Sequence, residues 1–185
     1  MYSSFFLDFF NLNFIASWVS PLAIFSATVL PIVALWGAIV FVILHHDKDF
    51  LKLSPIKKLQ RKMTEFLMVF GSTLATWTLV EILKSIIAAP RPFLYFHDIN
   101  PLFVYGGYDS FPSGHAAFFS ALATALCLYH PRMGTLYFLL ALAIGVGRIV
   151  SGIHFPLDVL AGFAIGVVVT FGTHHVLRDL YLIKE

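Results

Sequence analysis

Apolar residues run through the chain in long stretches separated by short polar breaks, and this pattern predicts the elements before any single residue is weighed. A helix rises 1.5 Å per residue, so about 20 apolar residues cross a hydrocarbon core of roughly 30 Å. The runs that approach this length cover about Trp18 to Leu44, Glu65 to Ala88, a shorter Ala116 to Tyr129, Met133 to Val150, and Leu157 to Val176. Pro21 and Pro31 interrupt the first run, whose length tolerates a tilt or kink. The second ends at Ala89-Pro90, because the residue before a proline is biased away from helix, and Pro156 suits the first turn of the last. The predicted fold is all-α: a polytopic membrane bundle of about five transmembrane helices. Ahead of it, Ser4, Asp8 and Asn11 recur at helical spacing among Phe5, Phe6, Phe9, Phe10 and Phe14. That narrow polar stripe predicts an interfacial amphipathic helix over residues 1–17, with the transmembrane domain over 18–185. The same segment has neither the basic start nor the small-residue cleavage site of a secretory signal.

Composition agrees with a lipid environment, since 59% of the 185 residues are hydrophobic and 12% charged. A net charge of +2 gives no basic field of the kind nucleic acid requires, so a nucleic-acid partner is excluded. The single cysteine, Cys127, sits in an apolar run and builds neither a disulfide framework nor a thiolate metal site within one chain. Lys48, Lys52, Lys57, Lys58, Arg61 and Lys62 crowd the connection between the first two runs. Basic short loops stay cytoplasmic, which predicts a multi-pass protein of the cell (inner) membrane with Lys84, Arg91 and Arg148 at the opposite, periplasmic or extracellular face.

Those three cations need a reason to be there. Lys84 with Arg91, then Ser113-Gly114-His115, then Arg148 with His154 and Asp158 all return to one depth at span boundaries. Charge near hydrocarbon is costly unless it snorkels, pairs or faces a polar cavity, so their convergence predicts a shared anionic ligand. Arg91 and Arg148 supply planar donor forks and Lys84 a point charge, while Ser113 and Gly114 stand at a helix start where a hydroxyl cap and free N–H groups favour an anion. His154 and Asp158 are four residues apart, which places a carboxylate beside an imidazole as nucleophile and orienter. His115 remains as general acid for the leaving group and as base toward water. Too few carboxylates share this face for a two-metal site, so neither catalytic metal nor cofactor is expected. Glu81, one turn before Lys84, is expected to pair with it; His97 and Asp98 are expected as a solvated loop pair, and Gly162 with Gly166 as a close-packing motif.

These blocks, Lys84 followed after six residues by Arg91-Pro92, Pro112-Ser113-Gly114-His115, and Arg148 with His154 and Asp158, resemble the three signatures of type 2 phosphatidic acid phosphatases in order and spacing. The resemblance implies metal-independent hydrolysis of a lipid phosphate through a phosphohistidine, with Lys84, Arg91, Ser113, Gly114 and Arg148 binding phosphate. It implies His115 as acid, His154 as nucleophile and Asp158 as its partner. One departure is that Gly147 precedes Arg148 where the family usually has serine, removing a possible hydroxyl donor. The short chain and its span pattern are similar to bacterial undecaprenyl-diphosphatases of the bacitracin-resistance type. Phosphatidate, phosphatidylglycerophosphate and lipid A phosphatases carry the same signatures. A vanadate-dependent haloperoxidase has a similar phosphate site but is disfavoured by the spans, and a non-enzymatic lipid-binding protein or transporter is disfavoured by His115, His154 and Asp158. Expected partners are the lipid phosphate or diphosphate and membrane lipids, with no obligate protein partner evident.

Overall fold

The computed structural model describes residues 19–46, 48–96, 99–103 and 105–179, without the side chains of Lys48, Asp49 and Asp179. The expected interfacial helix at 1–17 and the His97–Asp98 pair lie outside the described residues. The described residues form helices and no strands: α1 (Val19–Leu44), α2 (Lys48–Leu51), α3 (Pro55–Phe66, Leu67–Gly71 and Ser72–Ile87), α4 (Pro92–Tyr95), α5 (Gly114–Tyr129), α6 (Pro131–Val150) and α7 (Pro156–Asp179). The chain is thus the expected all-α membrane bundle. Four of its helices, α1, α3, α6 and α7, are long and apolar enough to cross a membrane.

Their outer faces leave large apolar side chains bare, including Leu22 at 62%, Trp36 at 63%, Leu139 at 61% and Leu160 at 66% exposure. Such a belt is unfavourable in water and expected against lipid tails. Helix α5 differs. Its 16 residues span about 24 Å, short of the hydrocarbon core, and 11 of them are buried because α3, α6 and α7 surround it. Gly162 and Gly166 of α7 make one of these crossings close. A Cβ at Gly162 would stand 2.5 Å from the Ser113 carbonyl oxygen, and one at Gly166 would run into Ser120 Oγ. The glycines let the two backbones meet, and the helices bring the ends that carry Ser113 and Asp158 together.

The prolines of α1 do not break it. Between them the helix widens into a π turn at Phe25–Val29, where the Leu30 amide donates to the Phe25 carbonyl five residues back. Pro31 has no N–H to give the carbonyl four residues before it, that of Ala27. A second π turn, Leu67–Gly71, lies in α3, which begins ten residues before the apolar run does because its first turns are basic and amphipathic. At that basic end Lys62 Nζ donates to the Val42 and His45 carbonyls at 2.8 and 2.7 Å and pairs with Glu65 Oε2 at 3.1 Å. Glu65 Oε1 meets His130 Nε2 at 2.8 Å, so one buried carboxylate fastens the end of α1, α3 and the α5–α6 corner.

Candidate active site

At the other end of the bundle the chain leaves α3 through Ala88, whose φ of 46° and ψ of 45° form a left-handed helix cap. Lys84 lies in the last turn, and its Nζ pairs with Glu81 Oε1 at 3.1 Å. The pair bears on the start of α5: an added Cβ at Gly114 would stand 3.2 Å from Lys84 Nζ. Glycine there brings the ammonium up to the helix N-terminus, where free backbone N–H groups favour an anion. Ser113 occupies the N-cap position, yet its hydroxyl makes no capping bond. The sequence-based expectation of a hydroxyl cap is corrected on this point. Ser113 Oγ is buried and has no partner among the described residues, while the Ser113 amide donates to the Asp158 carbonyl at 2.9 Å.

Arg91 is fully buried. Its fork is not free, as the sequence reading supposed. Nε and Nη2 grip the Asp109 carboxylate at 2.8 and 2.9 Å, and Nη1 donates to the Ile153 carbonyl at 2.9 Å while lying 3.4 Å from His154 Nε2. Asp109 also accepts the Gly107 amide at 2.7 Å. The guanidinium holds its carboxyl well below the usual range, against the opposing effect of burial. The side chain of Arg91 therefore points one remaining N–H group at the imidazole.

Arg148, in the last turn of α6, is 2% exposed. Its Nη1 donates to the Ala27 carbonyl at 3.3 Å, the one Pro31 leaves short of a helical donor, and its Nε has no partner among the described residues. Gly147 is explained by the same contact. A Cβ there would run into Ser26 Oγ and stand 3.1 Å from the Ala27 amide, so a serine at 147 is incompatible with α1 packed this close. Ser26 spends its own hydroxyl proton on the Ala23 carbonyl at 3.0 Å.

His154 follows in the short α6–α7 connection and is 1% exposed. Its Nδ1 is 3.5 Å from Asp158 Oδ2, a facing distance too long for a formed hydrogen bond. That carboxylate oxygen is itself fixed by Ser110 Oγ at 2.6 Å and the Phe155 amide at 2.8 Å. Arg91 has only hydrogens to offer Nε2, so the consistent tautomer carries its proton on Nδ1 and a lone pair on Nε2. Burial pushes the imidazole down to about 4; Asp158 pulls it up and both guanidiniums push it down. At neutral pH it is an uncharged base with its lone pair toward the cations.

Three pairings made by the long loop are not marked in the sequence: Asp109 on Arg91, Ser110 on Asp158, and Tyr105 against both guanidiniums. The Tyr105 ring lies 4.6 Å from Arg148 Cζ and 5.0 Å from Arg91 Cζ, and edge-on to the His115 ring at 6.5 Å. Direct contacts or this one bridging ring therefore connect the eight candidate residues. The loop is tied down by the Arg91 amide on the Gly107 carbonyl, Ser110 on Ala89, and Leu102 on Ser151.

Known proteins share this arrangement of sequence and fold. The chain is 36% identical over 113 residues to the bacitracin transport permease protein BcrC of Bacillus licheniformis, covering 59% of this chain but only 55% of that protein. It is 32% identical over 162 residues to the putative undecaprenyl-diphosphatase YbjG of Escherichia coli K12, covering 83% of this chain and 71% of that one. The crystal structure of Aquifex aeolicus LpxE superposes with a TM-score of 0.64 at 28% identity, over 91% of this chain and 94% of that one. Residues 65–181, from the buried Glu65 staple through the whole of α7, match the PAP2 superfamily, and the chain belongs to it.

Proposed function

We propose that this protein is a membrane lipid phosphatase that works through a phosphohistidine without a catalytic metal. The observation that carries the reading is the buried His154, its Nε2 beside Arg91 and its Nδ1 facing Asp158, next to a helix start with a buried hydroxyl that has no partner among the described residues. Ser113 Oγ, the amides around Gly114, Lys84 Nζ, Arg148 Nε and Arg91 Nη1 are donors suited to the non-bridging oxygens of a phosphoryl group. His154 Nε2 attacks phosphorus in line with the lipid oxygen; as the P–O bond breaks, His115 gives that oxygen its proton. Asp158 stabilises the charge left on the imidazole by accepting from Nδ1–H, and its distance shortens from 3.5 Å as that charge develops. Water then attacks the phosphohistidine, His115 takes its proton, and inorganic phosphate leaves.

Undecaprenyl diphosphate is the proposed substrate, with undecaprenyl phosphate as product. It is favoured by the likeness to a putative undecaprenyl-diphosphatase over 83% of this chain. The proposed site faces the periplasmic or extracellular side, because the basic residues from Lys52 to Lys62 occupy the other end of the bundle. Residues 18–185 form the proposed phosphatase domain. The test is phosphate release by the purified protein from undecaprenyl diphosphate, phosphatidate, phosphatidylglycerophosphate and lipid A. Activity is expected to be highest on the first and retained in EDTA. His154→Ala is expected to lower kcat by at least about 10⁴-fold, as loss of a nucleophile does. Metal-reversible inhibition by EDTA would refute the metal-free step, and His154→Ala with wild-type turnover would refute the nucleophile.

A further inference from the structure

Two guanidiniums face the same site with one carboxylate, Asp109, between them, and that carboxylate is spent on Arg91. Arg148 has a long bond to a backbone carbonyl, an Nε without a partner among the described residues, and a polar interaction with the Tyr105 side chain. The remaining compensation in their surroundings is aromatic: the ring of Tyr105, within 5.0 Å of both guanidinium carbons. The face of an aromatic ring is the negative end of its quadrupole and attracts a cation where no anion is present. An oxyanion shared by the two arginines must bring oxygens to about 2.8 Å from their nitrogens, into the space that ring covers.

We propose that Tyr105 is a resident stand-in for the phosphoryl group, one that lowers the affinity of the site for every small oxyanion. Its ring occupies the mouth of the arginine pair, and any phosphate that binds has to displace it. The backbone seats it there. Gly106 has φ of 67°, and a Cβ on it would stand 2.7 Å from Arg91 Nε and strike the Asp109 carboxylate, so the loop presses against the clamp only because residue 106 is glycine. The Gly107 carbonyl and amide are bonded to Arg91 and Asp109, which fixes the loop beyond Gly106 and leaves the ring to move at residue 105 and Gly106. Tyr105 is 41% exposed, so its outward path is open.

The consequence is a lower occupancy of the site by small anions. Free inorganic phosphate has only its oxygens with which to offset the displaced cation–π contacts. A lipid phosphate meets the same cost but adds the binding energy of its tail, so small anions, including the released product, are kept weak while the substrate still binds. Two partly desolvated cation–π contacts correspond to roughly a tenfold effect on a competing anion, about 1.4 kcal/mol.

This inference rests on the phosphate site proposed above, and its test separates the two. Binding of orthophosphate and orthovanadate to the purified wild type, Tyr105→Phe and Tyr105→Leu is measured by calorimetry beside phosphate release from lipid. Tyr105→Leu is expected to bind both anions about tenfold tighter, and Tyr105→Phe, which keeps the ring, within about threefold of wild type. Equal or weaker binding by Tyr105→Leu overturns the proposal. A second measurement uses the native fold: 3-fluorotyrosine placed at 105 is expected to shift its fluorine resonance on saturation with vanadate, and an unmoved resonance overturns the proposal. A wild type that binds the anions but releases no phosphate from any lipid would refute the phosphatase reading, while the affinities still decide the role of Tyr105.

Discussion

Replacing Asp109 with asparagine perturbs the aim of Arg91 without removing any group assigned to the phosphate. The carboxylate makes two charge-assisted bonds to the guanidinium, at 2.8 and 2.9 Å, and the asparagine amide can accept only one. Breaking a fully buried pair costs about 3–5 kcal/mol because a charge is left unpaired. Here Arg91 is fully buried but the Asp109 side chain is 37% exposed, so water refills part of the gap and the expected loss is about 1–3 kcal/mol. The functional effect is larger than that of a surface ion pair because the same guanidinium presents Nη1 to His154 Nε2 at 3.4 Å. A misplacement of about 1 Å at a reacting centre costs on the order of 100-fold, so kcat/KM is expected to fall roughly 10- to 100-fold. Phosphate release against lipid concentration gives that number, and thermal unfolding in detergent gives the stability. The sign with pH is also fixed. Arg91 lowers the folded carboxyl below its ordinary 3.8, so the pair's contribution is complete above that value and declines only as pH falls below it. The gap between wild type and Asp109→Asn should therefore be flat from pH 5 to 8. A variant with wild-type melting temperature and kcat/KM within twofold would refute the view that Asp109 aims Arg91.

Two further outcomes follow from other contacts. Gly147→Ser drives a side chain into Ser26 Oγ, so it is expected to destabilise the protein by about 1–3 kcal/mol and lower activity rather than restore a phosphate ligand; a more active, equally stable variant would contradict the packing. Because burial lowers His154 to about 4, the acid limb of kcat/KM, corrected for the ionisation of the substrate, is expected near that pH, not near 6.5. The fold favours the neutral imidazole, so His154 also makes stability decline as pH falls from the unfolded value of 6.5 toward 4. An acid inflection at 6.5 or above would refute that environment.

Much of the bundle is legible in the sequence because crossing a bilayer demands apolar length, and apolar length is local. The ends of α5, α6 and α7 fall within a few residues of the runs beginning at Ala116, Met133 and Leu157. The π turns are not legible, since they answer to packing between helices; locally Pro31 signals a tolerated tilt or kink and not the widened turn before it. At the site, Lys84, His154 and Asp158 are marked by charge placed where hydrocarbon should be. Asp109 and Ser110 carry no such mark: a polar residue in a loop is ordinary, and their partners are 18 and 48 residues away. Tyr105 is hidden for the same reason among the aromatics of its loop. Ser113 shows the converse error, a residue with the local chemistry of a cap whose hydroxyl has no partner among the described residues.

Pro31 has a consequence for building chimeras. The proline and the Ala27 carbonyl it leaves short of a donor lie on α1, before the family segment that begins at residue 65, yet that carbonyl is the backbone acceptor of Arg148. A hybrid that carries residues 65–181 behind a foreign first helix would keep every signature side chain and lose the floor beneath one of them. Grafting such a domain requires transplanting the proline, the widened turn and the gap at Gly147 as one unit.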